Sequence, residues 1–461
     1  MLRFFSRPAR SEFRRIWLLS LPVIVAQVST MMLGVVDMYM LGQLGASELA
    51  GAVLGNVWVH GTLIMGLGLL MGMDPVVTQA HGRRDTIALG HALQRGLVLA
   101  LLASVPLFLA WQSPEWILEL MGQNPEVIAL SKRYTSEQSF SIPFFLCFST
   151  FRQFLQGRGI VWPVMCVAIV ANVFNYVAND VLIFGKLCGF DLASVGVEGV
   201  GFDGAAWATG ATRCALFAAV LGLVLWKRLG EGAWVPWSRE TFRMREFRRL
   251  VGYGVPVAFQ FGLEVWAFQI AVLWAGQLGT IPLAAHGIVL NTASLTFMMP
   301  LGVSLGAVTR VGNLIGEGRF ERAQLAAWVA ILIGIAIMLA SAIGFVVLRD
   351  QIPAAFSPKD AGVIAAAAAV FPIAGAFQLF DGAQVVGGGI LRGMGRTVPA
   401  GVFNLVGYYV IALPVAWWMT FRLGLGLSGI WWGSCIGLGI VAVLLFIWIS
   451  MRGPRTMRGR V

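Results

Sequence analysis

The chain has 461 residues, of which 58% are hydrophobic and only 12% charged, with a mean hydropathy of +0.80 and a net charge of +11. Soluble domains carry roughly 25% charged residues, so a soluble fold is excluded. A separate catalytic domain is excluded too, because apolar runs recur from residue 16 to residue 450 with no soluble block between them. On a soluble protein the positive charge would suggest nucleic acid; here it is read as basic loops flanking membrane spans, with no nucleic-acid partner.

In chain order, the opening "MLRFFSRPARSEFRR" and the apolar run after it imitate a signal peptide. The run is too long, lacks an A-x-A end and contains Asp37, so it is expected to be retained as the first span. Hydrophobic runs bounded by charged or Gly/Pro-rich turns predict spans at 16–44, 49–79, 88–112, 134–156, 162–186, 204–229, 250–278, 283–314, 321–348, 362–391, 398–420 and 427–450. The longest polar piece, "KRLGEGAWVPWSRETFRMREFRR" at 227–249, divides them six and six. The expected organisation is an N-terminal six-helix lobe (1–229), a cytoplasmic linker (230–249) and a C-terminal six-helix lobe (250–461). With both termini inside, 26 of the 33 Lys and Arg fall in cytoplasmic segments and six on the other side, a bias that sets this orientation. The five cysteines are scattered without CxxC spacing and are read as free, buried thiols, neither disulfides nor metal ligands.

The halves resemble each other. "GQLG" occurs at 42–45 and 276–279, an offset of 234 shared by Pro22 and Pro256, Gly68 and Gly302, and Gly82 and Gly316. "LQGRGIVWP" (155–163) aligns with "LRGMGRTVP" (391–399) at 236. An internal duplication with an even number of spans per copy inserts both copies the same way up. The predicted fold class is therefore an all-α polytopic membrane protein: twelve transmembrane helices in two six-helix bundles, related by a parallel pseudo-two-fold repeat along the membrane normal.

Of 22 acids, five fall within spans: Asp37, Asp74, Asp180, Glu264 and Asp381, against a single intramembrane base, Arg213. A charge in the bilayer costs at least ~2.5 kcal/mol, so these groups face protein or water, and a net acidic interior attracts cations or protons. Gln27, Thr30, Gly34 and Asp37 share one face of the first helix, and Gln260, Glu264 and Phe268 one face of the seventh. Gln378, Asp381 and Gln384 stack on the tenth, while Asn172, Asn175, Asn179 and Asp180 crowd the outer half of the fifth. Asp74 before Pro75 reads as a helix-end or turn partner, and His60 and His286 as packed hydrogen-bonding groups with a proton role as the alternative. Aromatic side chains lining a cleft would favour flat cationic ligands. Two carboxylates in one apolar site retain a proton more readily, or supply hard oxygen ligands to Na⁺ with Gln260 or Gln378 assisting.

The stretches "GVVDMYMLGQLGASELAGAVLGN", "FGLEVWAFQIAVLWAGQLGTIPLAAHGIVLN", "MMPLGVSLGAVTRVGNLIGEG" and "FQLFDGAQVVGGGILRGMGRTVPA" resemble the multidrug and toxic compound extrusion (MATE) family, NorM-type branch, from about residue 12 to 450. The resemblance implies two six-helix bundles and export of cationic or zwitterionic, often aromatic, drugs and dyes in exchange for Na⁺ or H⁺. It also implies a bacterial inner-membrane location, no cofactor and a monomer. It places the family's first-helix aspartate on Asp37 and the cation-coupling acids of the C-terminal lobe on Glu264 and Asp381. Some relatives use an N-terminal cluster with Asn and Asp four apart on the fifth helix; here those positions read Asn175 and Asn179, with Asp180 one place later. Gln260, Gln378, Phe268 and His286 complete the secondary candidates. The rival reading in transport, a lipid-linked precursor flippase of the same superfamily, calls for further helices and a basic cavity, against the acid count. An intramembrane enzyme finds no HExxH, no GxSxG with a histidine partner and no metal-spaced Cys or His cluster.

Overall fold

Apolar chain that crosses a bilayer must satisfy its own backbone groups, so the long hydrophobic runs are helices. The fold is given by a computed structural model that describes residues 7–120, 122, 124–187, 190–191, 198–231, 233–358 and 360–458. Cys188, expected to be a free, buried thiol, and the counted charges Arg3, Lys359 and Arg460 lie outside the described residues; Cys147, Cys166, Cys214 and Cys435 are free thiols, but only Cys147 and Cys435 are buried as expected, Cys166 being exposed and Cys214 half-buried. The helices in order are α1 (Arg7–Leu41), α2 (Ala46–Leu70), α3 (Asp74–Arg83), α4 (Thr86–Gln112), α5 (Glu115–Leu120), α6 (Pro125–Glu137), α7 (Ile142–Gly157), α8 (Trp162–Phe184) and α9 (Phe202–Trp226). They continue as α10 (Met244–Gln277), α11 (Thr280–Gly316), α12 (Phe320–Val347), α13 (Gln351–Phe356), α14 (Ala361–Gly393), α15 (Thr397–Asn404), α16 (Leu413–Trp417) and α17 (Leu427–Arg452).

Among the described residues, eleven helices are long and apolar enough to cross a membrane. The remaining expected span, 134–156, is interrupted. Helix α6 ends at Glu137, a 3₁₀ turn covers Ser139–Ser141, and α7 follows for 16 residues. The interruption has a local cause. Pro143 has no N–H to donate, and the serine hydroxyls bond back one turn, Ser139 to the Ser136 carbonyl and Ser141 to that of Gln138, each at 2.6 Å. The span expected at 49–79 is also composite: α2 passes through a 3₁₀ turn at Met71–Met73 into α3, which begins at Asp74–Pro75. The chain is thus an all-α polytopic membrane protein with twelve spans, the fourth shared by α6 and α7.

The repeated motifs take matching local structures. Each GQLG copy closes one long helix and leads into the next, with Gly45 capping α2 and Gly279 capping α11. In the second motif, Gly159 and Gly395 have φ of 78° and 71°, left-handed values that a side chain would strain, just before α8 and α15. Proline falls inside both long helices that open the halves, Pro22 in α1 and Pro256 in α10.

By packing, the helices form two compact units. One comprises Val28–Met73 and Asp85–Gly254; the other comprises Met1–Gln27, Asp74–Arg84 and Val255–Val461. In the first unit the polar 227–249 stretch is tied down. Gln94 donates to the Val235 carbonyl at 2.6 Å, and the buried Arg95 donates to the carbonyls of Thr241 and Glu240 at 3.0 and 2.7 Å. In the second unit α11, α12, α14 and α17 enclose an alanine-, valine- and isoleucine-rich core that includes Ala307, Val311, Ala326, Ala330, Val386 and Ile390.

Small residues allow close helix approach in that unit. Helix α3 lies on α11 with Gly82 against Gly316, the two positions equated by the 234-residue offset. A Cβ on Gly82 would overlap the Asn313 carbonyl oxygen, and one on Gly316 the Gln79 carbonyl oxygen. Because backbone atoms stand in the way, Gly316→Leu is expected to destabilise the protein by about 1–3 kcal/mol. Thermal melting in detergent reads this, with Gly344→Leu on the open side of α12, where nothing lies within 4 Å, remaining at the wild-type value.

Candidate functional site

In the second unit the site is built on α10, α14, α15 and the stretch after it. Helix α10 contributes Gln260, Glu264 and Phe268 at four-residue intervals; α14 contributes Asp381 and Gln384 one turn apart. After α15 the helix widens to π geometry over Leu405–Ala412, which carries Tyr408. Such widened turns are uncommon and concentrate at functional sites. Glu264 and Asp381 are both buried and each feels the other's charge. Gln384 Nε2 donates to Glu264 Oε2 and to Asn404 Oδ1, both at 3.4 Å, and Asn404 Nδ2 donates to the Gln260 carbonyl at 3.4 Å. The Tyr408 hydroxyl approaches Glu264 without completing a hydrogen bond of normal geometry. Phe268 packs edge-on against Phe377 and Tyr408, with ring centroids 6.0 and 6.2 Å apart, and so walls one side.

Two observations define the chemistry. Neither carboxylate has an ion-pair partner among the described residues. In addition, two buried amide oxygens of these same residues, Gln260 Oε1 and Gln384 Oε1, have no hydrogen-bond partner. Buried charge and buried oxygen left unpaired are both costly. A set of carboxylate, amide and hydroxyl oxygens is what a hard monovalent cation coordinates, and a shared proton relieves the same cost.

The structure separates the other candidates of this unit. Gln378 turns to Thr296, donating to its hydroxyl at 2.5 Å. His286 is buried as a packed hydrogen-bonding group, its Nδ1 accepting from Trp431 Nε1 at 3.2 Å with the rings 5.6 Å apart. Neither bonds to Glu264 or Asp381. Arg392, counted in the sequence as a cytoplasmic loop charge, is instead fully buried near the end of α14. Its guanidinium donates to Ser304 Oγ at 3.1 Å, lies 5.2 Å from the Phe261 ring and acts electrostatically on both Asp74 and Glu264. Asp74, at the start of α3, thus counterbalances a buried arginine. The interior of this unit holds more positive charge than hydropathy suggested.

In the first unit, Asp37 on α1 is fully satisfied by donors. Its Oδ1 accepts from Asn175 and Asn179 at 3.1 and 2.7 Å, and its Oδ2 from Thr209 at 2.8 Å. Asn175 and Asn179 lie one turn apart on α8, so both reach the same carboxylate. Asp180, also buried, is not among the three donors. One turn along α9 from Thr209 stands Arg213, which donates to Gln138 Oε1 at 2.9 Å and acts electrostatically on Asp37. The intramembrane base thus stands within reach of one of the five acids. The two acidic loci therefore differ in their donors: Asp37 accepts three side-chain hydrogen bonds, whereas Glu264 accepts one long one from Gln384, and each locus has an arginine acting on it electrostatically without a salt bridge, Arg213 on Asp37 and Arg392 on Glu264.

Sequence reasoning missed Asn404, Tyr408, Thr209 and the burial of Arg392. The signal for Arg392 was present, since it lies eleven residues after Asp381 and so on the same face of one helix. Tyr408 could not be placed by a 3.6-residue period, because the π turn shifts its direction.

The comparisons with known proteins accord with this architecture. The MatE family profile matches residues 22–181 and 256–418, two stretches starting 234 residues apart, the offset of the repeated motifs. The chain belongs to the MatE family. It is 33% identical over 97% of its length to the probable multidrug resistance protein NorM of Agrobacterium fabrum, covering 96% of that protein. It is 30% identical over 96% of its length to the mouse multidrug and toxin extrusion protein 2, covering 75% of it. A crystal structure of a eukaryotic MATE transporter superimposes with a TM-score of 0.88 at 23% identity, covering 98% of this chain and 99% of that one. As a MatE-family protein the chain is a multi-pass membrane transporter, not an enzyme.

Proposed function

We propose that this protein is a multidrug efflux antiporter that exports cationic, often aromatic compounds across a bacterial inner membrane in exchange for Na⁺ or H⁺. The observation that carries the proposal is the pair Glu264 and Asp381, buried without a salt bridge among the described residues, on helices that also carry the unpartnered amide oxygens of Gln260 and Gln384. Relatives named for multidrug resistance support the substrate class. In this reading the coupling cation occupies the pair and withdraws the negative field that a cationic substrate needs, so one is released as the other enters. The Lys and Arg bias puts both termini in the cytoplasm, and lobes 1–229 and 250–461 move against each other in alternating access. Exchange of one coupling cation for one monovalent cationic substrate moves no net charge, so the coupling ion's own concentration gradient drives it: a tenfold gradient is worth about 1.4 kcal/mol and supports a roughly tenfold substrate gradient.

Purified protein in liposomes tests the reading with a cationic dye loaded on the cytoplasmic side. An imposed proton or sodium gradient is expected to drive dye export, and the other gradient to do so weakly or not at all. Export equally fast with neither gradient would overturn coupled antiport.

A further inference from the structure

We infer that the C-terminal end of α17 forms a binding site for an anionic phospholipid headgroup of the surrounding membrane, its phosphate held between Arg396 and Arg452. A cavity of about 460 Å³ lies there, lined by Arg396, Trp448, Met451, Arg452, Thr456 and Met457. That volume falls within the range of small-ligand pockets, roughly 300–1,000 Å³. The local chain builds it. Helix α17 stops at Arg452, and Pro454–Met457 folds back as a 3₁₀ turn. The turn is pinned to α12, where the Arg455 N–H donates to Gln324 Oε1 at 3.4 Å and Gln324 Nε2 donates to the Ile449 carbonyl at 3.5 Å. On the facing side Arg396 is the residue just before α15, so the positive end of that helix lies beside it.

The charge is one-sided and unpaired. Neither 392–398 nor 450–458 contains an acid, and both contain arginine. Among the described residues no carboxylate lies within ion-pair distance of Arg396 or Arg452, Glu321 at the start of α12 included. Both arginines are exposed. Guanidinium groups match the oxygens of a phosphate two at a time. The same rim is apolar on its outer flank: Met451 is 69% exposed and Phe446 54%, next to the half-buried Trp448. Tryptophan belongs at the depth where headgroup meets acyl chain. A free phosphate would use the two arginines only; a phospholipid uses the arginines, the tryptophan and the apolar flank together. Basic pockets at the ends of transmembrane helices are suited to such headgroups.

Native mass spectrometry of the full-length protein, released from nanodiscs of phosphatidylglycerol mixed with phosphatidylcholine, tests this. The wild type is expected to retain phosphatidylglycerol selectively. The double variant Arg396→Ala/Arg452→Ala is expected to retain it at least about tenfold more weakly. A control pair, Arg14→Ala/Arg15→Ala, removes two exposed arginines elsewhere and is expected to behave as wild type. Equal loss in both double variants, or none in either, would overturn the site. Glycerol phosphate added at millimolar concentration reads the source of the phosphate: displacement of the retained lipid would mark a soluble-phosphate site and contradict the lipid assignment, whereas retention supports it. Because all four side chains are exposed, unchanged melting temperatures are expected to accompany these results.

Discussion

Glu264→Gln is expected to reduce gradient-driven export to the rate of protein-free liposomes while the protein still inserts and folds. The glutamine keeps the shape of the side chain and can still meet the Gln384 amide, now through its own carbonyl oxygen. What it removes is the charge that, with Asp381, demands a cation or proton in a buried place. The acid of the other unit offers no substitute. Asp37 already accepts from Asn175, Asn179 and Thr209 and has Arg213 acting on it. Folding is expected to survive because a buried carboxylate without a paired base is a cost that the substitution relieves. Asp381→Asn should give the same loss. Gln384→Ala, which removes only a 3.4 Å hydrogen bond to Glu264, should weaken coupling by no more than about tenfold. Export under matched gradients from liposomes of equal protein content reads all three.

The largest effect on stability is expected at Glu12. This side chain is completely buried near the start of α1 and accepts from Arg310 Nε at 2.6 Å, from Arg310 Nη2 at 2.9 Å and from Arg322 Nε at 2.8 Å. Arg310 is itself buried. Breaking a buried ion pair from one side leaves the other charge without compensation, at about 3–5 kcal/mol. Glu12→Gln removes the compensating charge for two guanidinium groups at once, so a loss in that range is expected in thermal or denaturant unfolding. The exposed pair Arg228–Glu231 sets the contrast. Substituting Glu231 by Gln should change stability by less than about 1 kcal/mol.

Hydropathy made the spans legible because the bilayer imposes one rule on every backbone group, and length and apolar content report it directly. It did not reveal the interruption at Ser139–Ser141, where Pro143 and the serine hydroxyls act locally inside an otherwise apolar window. The repeat was legible through glycines and prolines, because a left-handed turn at Gly159 and Gly395 or a close approach at Gly82 and Gly316 favours glycine over any side chain. Helical spacing brought Gln260, Glu264 and Phe268 to one face, and Asp381 with Gln384 to another, and the two faces meet where Gln384 donates to Glu264. Residues joined by the π turn, such as Tyr408, escape any fixed period. Charge counting failed for Glu12, Arg310 and Arg392. A buried pair formed across 298 positions of chain looks, in sequence, like two ordinary loop charges.

Competition between a coupling cation and a cationic substrate through the carboxylates Glu264 and Asp381 is measured most directly by the affinity of the detergent-purified protein for a cationic fluorescent dye across a titration in H⁺ and another in Na⁺. Dye affinity is expected to fall as one of these cations rises, and Glu264→Gln is expected to flatten this dependence. An affinity that ignores both cations in the wild type, or a dependence unchanged in Glu264→Gln, would contradict it.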